Sequence, residues 1–245
     1  MKKILIIGGT SAIATATAIN FAKNDDELFL ADINISRLQE VQKHIQALTD
    51  SNVSIAEFSL KDDNVYHDVL NTAIEKMGEV DAVLIAYGTL PEQEKIKNDI
   101  SAVIEQININ FTSVISFATV AAEYFEKRNI GCIAAISSVA GDRGRQSNYI
   151  YGAAKGAISL YLQGLRNRFG KTDISVVTIK PGFVDTPMTA NMPKNFLYSS
   201  PETIGKIIYD AMNKGKDVVY APGFWRYIMM IIKIIPEGIF KKLSL

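Results

Sequence analysis

The chain has 245 residues, with Lys plus Arg and Asp plus Glu equal at 26 each. That balance gives no bulk field for nucleic acid or strongly acidic partners. Apolar residues make up 48% and charged residues 21%, an ordinary globular composition in a chain long enough to bury a sizeable core. Cys132 is the only cysteine, so no internal disulfide can form, which fits a reducing cytoplasm. No His/Cys/Asp/Glu spacing suggests a metal site. His44 and His67 lie in helical segments and read as surface residues.

In chain order, short apolar runs alternate with helix-length segments. The runs are Ile4–Ile7, Leu28–Leu30, Val53–Phe58, Val80–Ile85, Cys132–Ile136 and Val176–Ile179. Between them lie helical patterns over Ile13–Asn24, Ile35–Thr49, Val65–Met77, Ile100–Lys127 and Tyr149–Phe169. A further helix over Pro201–Asn213 and a short seventh strand, Val218–Tyr220, follow. Continuous apolar runs are the mark of strands buried on both faces. Their alternation with helices predicts a single-domain α/β fold, a Rossmann-type doubly wound parallel sheet. The first run is too short for the apolar region of a signal peptide. No stretch is long enough to span a bilayer, and the C-terminal tail comes closest. The division expected is a dinucleotide-binding and catalytic domain over 1–222 and an amphipathic tail over 223–245.

Gly8 and Gly9 follow the first strand, with Thr10, Ser11 and Ile13 leading into the first helix. Such a turn lets backbone approach a pyrophosphate, and the helix N-terminus favours its charge. The G-x-G-x-x-G spacing is absent, so a plain strand-to-helix turn is an equal reading of this loop alone. Asp32 ends the second strand, about 20 residues on, where a carboxylate meets the ribose 2′-OH of NAD and repels a 2′-phosphate. The other reading of Asp32 is a turn or cap residue. Only Arg37 nearby could clamp a 2′-phosphate. The expected cofactor is NAD(H), with NADP(H) kept open.

The segment ISSVAGDRGRQSNYIYGAAKGAI carries the chemistry. Tyr151 and Lys155 are four apart and share a helix face. Ser138 stands at the end of the fifth strand, where open α/β sheets bind ligands. Reduction of a carbonyl leaves an alkoxide that must gain a proton. A tyrosine can supply it, and a nearby ammonium is expected to bring the phenol down from its ordinary value near 10. A serine hydroxyl can hydrogen-bond the substrate oxygen as charge develops. Arg143 and Arg145, in the loop before Tyr151, read as a solvated turn, with contact to a substrate phosphate as the alternative.

Over essentially its whole length the chain resembles the short-chain dehydrogenase/reductase family. The resemblance implies a catalytic Ser138, Tyr151 and Lys155, with Asn110 in QININFTSV holding a water that relays protons to the lysine. It implies cofactor contacts from Pro181-Gly182, Val184 and Thr186, the last at the nicotinamide carboxamide. Ile85-Ala86-Tyr87-Gly88 stands where the family has Asn-Asn-Ala-Gly, and Ser59-Leu60 where it has the adenine-side Asp-Val. GGTSAIA replaces T-G-x-x-x-G-x-G. Within the family the stretches GGTSAIA, AYGTL, KPGFVDTPMTA and GKDVVYAP resemble the decaprenylphosphoryl-keto-ribose 2-reductase subgroup.

After Pro222 the chain reads GFWRYIMMIIKIIPEGIFKKLSL. Arg226, Lys233, Glu237 and Lys241 fall near one line, Pro236 should kink the helix, and the rest is apolar. Such a helix suits a membrane interface, with Lys241 and Lys242 adding charge toward anionic head groups. Packing on the protein's own core or on a second subunit is an equal reading. Three functions follow as expectations. The first is a keto-sugar reductase of a lipid-linked or cell-envelope glycan, cytoplasmic or peripheral at the inner membrane face, and homo-oligomeric. The second is a soluble reductase of a small ketone or acyl substrate. The third is a non-catalytic NAD-binding module, against which the intact Ser138, Tyr151, Lys155 and Asn110 argue.

Overall fold

The computed structural model describes residues 1–62 and 64–243. Among the described residues seven strands, all parallel, form one sheet. In chain order the elements are β1 (Lys3–Ile7), α1 (Ala12–Ala22), β2 (Glu27–Asp32), α2 (Ile35–Leu48), β3 (Val53–Glu57), α3 (Val65–Met77) and β4 (Ala82–Ile85). Then come α4 (Gln93–Ile96), α5 (Ile100–Ile107), α6 (Ser113–Arg128), β5 (Ile130–Ile136), α7 (Tyr149–Arg168) and β6 (Asp173–Pro181). The chain finishes with α8 (Pro201–Asn213), β7 (Val218–Ala221), α9 (Trp225–Ile234) and α10 (Glu237–Phe240).

The apolar strands sort by the two-residue period of a pleated sheet. Leu5 and Ile7 of β1 face a core shared with α3, α6 and α7, built on Phe117, Phe125 and Ile158. Ile4 and Ile6 face the opposite core under α1, α2 and α8, built on Phe21, Leu38 and Ile208. Both faces of the sheet are therefore covered, which is why these strands read as unbroken apolar runs.

Several elements differ from the sequence expectation by a few residues at their ends or within. The fourth strand starts at Ala82 instead of Val80, because the Val80 N–H donates to the Tyr124 hydroxyl and its carbonyl accepts from Arg128. β6 runs beyond its apolar centre at both ends, pairing from Asp173 opposite Ile130 to Ile179 opposite Ile136. The helix expected over Ile100–Lys127 contains a π turn at Asn108–Thr112 between α5 and α6. Such wide turns occur mostly as single insertions, often at functional sites.

The order of the sheet fixes the crevice. The chain winds outward from β1 to β3, returns to β4 beside β1, and continues the other way. At that switch point the loops after β1 and β4 diverge, leaving an opening at the carboxyl ends of the strands.

Candidate active site

The crevice is a cavity of about 520 Å³. It runs across the carboxyl ends of β2, β1, β4, β5 and β6, where it meets Asp32, Gly8, Ala86, Ser138 and Pro181 in turn.

The glycine loop forms one wall. Gly8 has φ of +85°, and a Cβ there would lie 2.6 Å from the Tyr87 side chain. Only glycine fits that backbone and that gap. Thr10, Ser11 and Ile13 line the cavity. Ser11 caps α1 by accepting from the Ala14 N–H at 3.2 Å, and its hydroxyl donates to the Ala86 carbonyl at 3.0 Å. The cap ties the turn to β4 and leaves the first-turn amides of α1, which have no intrahelical acceptor, at the cavity. Gly9 faces inward instead, against Leu30 and Leu38.

Asp32 lies in the cavity wall, yet its carboxylate already has partners. Oδ2 accepts from the Thr10 N–H at 2.9 Å and the Thr10 hydroxyl at 2.7 Å, and Oδ1 from the Ile33 N–H at 2.7 Å. The carboxylate thus sets the shape of the glycine loop. Arg37 lines the same end. Of the Ser59-Leu60 pair, Leu60 reaches the main cavity beside Phe58, while Ser59 lines a neighbouring depression with Lys61 and Asp62. Ser59, expected on the adenine side, does not line the main cavity; it lies in the loop after β3, where its hydroxyl accepts from the Lys61 N–H at 3.3 Å.

Ser138, Tyr151 and Lys155 line the middle of the cavity. Ser138 leaves the end of β5 and accepts from the Ala140 N–H at 3.1 Å, which starts a 3-10 turn over Val139–Asp142. Tyr151 and Lys155 are on the first turns of α7, and the Lys155 ammonium lies 5.7 Å from the Tyr151 ring centre. Its Nζ donates to the Ile136 carbonyl at 2.9 Å. Burial alone holds the Lys155 ammonium down, to about 8. Burial pushes the Tyr151 phenol up to about 12, with the Ser138 hydroxyl opposing. This corrects the expectation that the lysine lowers the phenol. In the protein alone desolvation dominates, and the phenol keeps its proton at neutral pH.

Asn110 is fully buried in the π turn and does not itself line the cavity. Its Oδ1 accepts from the Thr89 N–H at 2.9 Å, and its Nδ2 donates to the Thr89 carbonyl at 3.0 Å and to Gln106 Oε1 at 3.1 Å. With both ends of its amide engaged, the side chain pins the loop after β4. A Cβ on Gly88 in that loop would come 2.7 Å from Asn110 Oδ1 and 3.3 Å from Lys155 Nζ, so asparagine, loop and lysine form one packed unit. Ala86, Tyr87 and Gly88 all line the cavity, although the Tyr87 hydroxyl points away and donates to Ser113 Oγ at 2.6 Å.

At the far end Pro181, Gly182, Val184 and Thr186 line the wall, joined by Leu90, Phe183, Met188 and Met192, which sequence reasoning did not single out. Asp142 anchors this end. Its carboxylate pairs with Lys180 Nζ at 2.5 Å and accepts from the Tyr220 hydroxyl at 2.5 Å.

The loop before α7 is not a solvated turn. Arg143 caps the end of α9, donating to the carbonyls of Ile232, Lys233 and Ile235 at 2.9, 3.1 and 2.6 Å. It also pairs with Glu237 at 2.9 Å and covers the Phe240 ring at 3.8 Å. A cation at a helix C-terminus is stabilised by the last carbonyls. Arg145 lines the cavity, and its Nη2 donates to Met229 Sδ at 3.4 Å. The tail thus forms the outer wall of the far end. Trp225 and Met229 pack beside Val139, with Phe183, Leu197 and Tyr220 against them, and the Trp225 indole lies so close to Gly182 that no side chain fits there. The other face of the tail, with Tyr227, Met230, Ile231, Ile234 and Ile239, is exposed. Pro236 separates α9 from α10. No helix among the described residues is long and apolar enough to cross a membrane.

A doubly wound sheet with an amide-lined turn at its switch point and a Ser, Tyr, Lys group beside it defines a dinucleotide-dependent oxidoreductase. Residues 2–196 match the sequence model of short chain dehydrogenase. The chain belongs to that family and is an NAD(P)-dependent oxidoreductase. An uncharacterized oxidoreductase of Mycobacterium tuberculosis is 25% identical over 240 residues, 98% of this chain and 96% of its own. An uncharacterized oxidoreductase of Streptomyces coelicolor is 26% identical over 243 residues, 99% and 96% of the two chains. Among solved structures, levodione reductase superposes with a TM-score of 0.82 over 91% of this chain and 96% of its own, at 20% identity. That last likeness is one of fold.

Proposed function

We propose that the chain is an NADH-dependent reductase of a ketone on a lipid-linked sugar, of the kind handled in decaprenylphosphoryl-keto-ribose reduction, working at a membrane surface. The observation that carries the reading is the convergence of Ser138, Tyr151 and Lys155 on the middle of one cavity, where a ketone oxygen can meet both hydroxyls.

The cavity suits a dinucleotide: the amides after Gly8 can meet the pyrophosphate, Asp32 or Arg37 the adenosine ribose, and Val184 and Thr186 the nicotinamide end. When bound, the reduced nicotinamide supplies the hydride. The chain's own groups do the rest. The Ser138 hydroxyl donates to the ketone oxygen and holds it beside Tyr151. The Tyr151 hydroxyl then gives its proton to that oxygen as the alcohol forms. Lys155, held by the Ile136 carbonyl and by the unit around Asn110, stabilises the phenolate left behind and helps return its proton from solvent. Asp32 favours NADH because its carboxylate would face a 2′-phosphate without an intervening cation. Arg37 at the same end supports the second reading, in which NADPH is used.

The lipid part rests on the apolar wall made by Leu90, Phe183, Met188 and Met192, and on the exposed apolar face of the tail beside it. A substrate carried on a lipid would reach the cavity from that side.

Tyr151→Phe tests the chemistry. NADH-dependent ketone reduction should fall by about 10²–10⁴-fold, the usual worth of a general acid, while NADH affinity stays near that of the wild type. Retention of more than about a tenth of the rate would assign the proton to another group.

A further inference from the structure

The far end of the cavity holds a cation with no anion of its own. Arg145 makes no ion pair among the described residues, and its buried Nε has no hydrogen-bond partner. The nearest carboxylate that influences it, Asp142, is taken by Lys180 and Tyr220. Among the described residues its acceptor is the Met229 thioether sulfur, a weak one. Burial pushes the guanidinium below its ordinary value, with the Asp142 charge opposing.

Asn148, three residues on, lines the same cavity. It occupies the N-cap position of α7, yet its side chain caps nothing, and its buried Oδ1 has no partner. Asparagine at an N-cap normally turns its oxygen onto the first-turn amides. Here the Ile150 amide of the first turn is met by Gln93 Oε1 at 3.1 Å, and the Asn148 oxygen is left unused at the cavity wall. Two adjacent side chains with unused polar groups, one cationic, at the positive end of a long helix, share a cavity with the proposed proton donor. Buried polar groups are almost always paired, and a partner for these must come from outside the chain.

We infer that Arg145 and Asn148 form an anion subsite for the substrate, which carries a phosphate or carboxylate near its ketone and a hydroxyl for Asn148. This rests on the reading of the cavity as a ketone-reductase site. The shape of a guanidinium fits a two-oxygen anion, and the Met229 sulfur of α9 is a weak acceptor that such an anion would outcompete. Asp32 at the opposite end of the cavity keeps the same anion from being favoured there. The ketone lies between, at Tyr151.

The test uses protein saturated with NADH, so that the cofactor's own phosphates hold the glycine loop. Dihydroxyacetone phosphate and dihydroxyacetone are compared as probes, since they differ by one phosphate. Calorimetry reads binding, and NADH absorbance reads reduction. The wild type should bind the phosphorylated probe about 10–100-fold more tightly than the neutral one, the worth of a charge-assisted hydrogen-bonded pair. Arg145→Met should bring that ratio near one, and Arg145→Lys should restore part of it. Asn148→Ala should weaken both probes in step, since it meets a hydroxyl common to both. If neither probe is reduced but the Arg145-dependent binding preference is present, the subsite stands and the ketone-reductase reading loses support. A ratio near one in the wild type, or an undiminished ratio in a folded Arg145→Met protein, overturns the subsite.

Discussion

The two ends of the cavity carry opposite charges that are treated in opposite ways. At one end Asp32 is held by three hydrogen bonds from Thr10 and Ile33. At the other Arg145 is half-buried, its Nε without a partner and a thioether against its guanidinium. A charge satisfied by its own chain is scaffold first: Asp32 shapes the glycine loop whether or not a ligand is near. A charge left unsatisfied keeps its hydrogen-bonding capacity for what enters. The contrast separates a cofactor end that is finished by folding from a substrate end that needs its ligand, and each prediction below presses on one side of it.

Lys155 sits between the two ends and should give the largest effect. It is 2% exposed, and burial lowers it from 10.5 to about 8. Between those two values the unfolded chain binds a proton that the folded protein does not, so stability rises with pH through that window. Below about 8 the full cost is present, about 3 kcal/mol for a gap of this size. Lys155→Met removes the charge. The variant's stability relative to the wild type should therefore shift by about 3 kcal/mol between pH 7 and pH 10.5, favouring the variant at the lower pH, as read by urea unfolding. Reduction should fall at least about 10²-fold. A wild-type-minus-variant difference flat in pH would mean that the ammonium is not held at a cost.

Asp32 comes next. Asp32→Ala leaves the Thr10 N–H and hydroxyl without their acceptor, so the glycine loop should slacken. NADH binding should weaken by about tenfold, as for a lost charge-assisted hydrogen bond, and NADPH binding by less, because repulsion of the 2′-phosphate is relieved. Fluorescence titration of both cofactors reads the ratio. If the wild type binds NADPH more tightly, Asp32 is scaffold alone and Arg37 becomes the group that reads the ribose.

What the sequence made legible followed from local rules. Buried strands announced themselves as apolar runs, Gly8 by its place after the first of them, and Tyr151 and Lys155 by helical spacing. What it concealed was set by contacts far apart in the chain. Arg143 meets carbonyls about 90 residues downstream, so its charge looked like that of a surface turn. The phenol's direction depended on desolvation, which no spacing reveals, and an ammonium four residues away suggested the opposite. The π turn around Asn110 has no residue pattern of its own. Ser59 and Leu60 lie in the loop after β3, whose path no two-residue period fixes, so which of them meets the cavity could not be read from the strand.

The tail repeats the comparison on a smaller scale, with one face used by the chain and the other left over. Trp225, Met229 and Phe240 are buried, whereas Ile231 and Ile234 are 64% and 73% exposed. Arg143 fixes the helix end, so the exposed face is held outward as a rigid surface, with Arg226, Lys233 and Lys241 on the same short segment. An apolar strip with nearby cations is the arrangement that partitions into an anionic lipid interface. Burying one isoleucine there contributes about 1.5–3 kcal/mol. The double variant Ile231→Glu, Ile234→Glu should leave anionic vesicles in a flotation assay that retains the wild type. Its effect on turnover of a water-soluble ketone should be the smallest of the series, because neither side chain lines the cavity. Raised salt should weaken wild-type flotation without abolishing it, since screening acts on the cations and not on the apolar strip. If the wild type does not float, and the double variant instead changes the oligomer's mass in light scattering, the strip is a contact between subunits. The membrane-surface part of the proposal then falls, while the chemistry at Tyr151 stands.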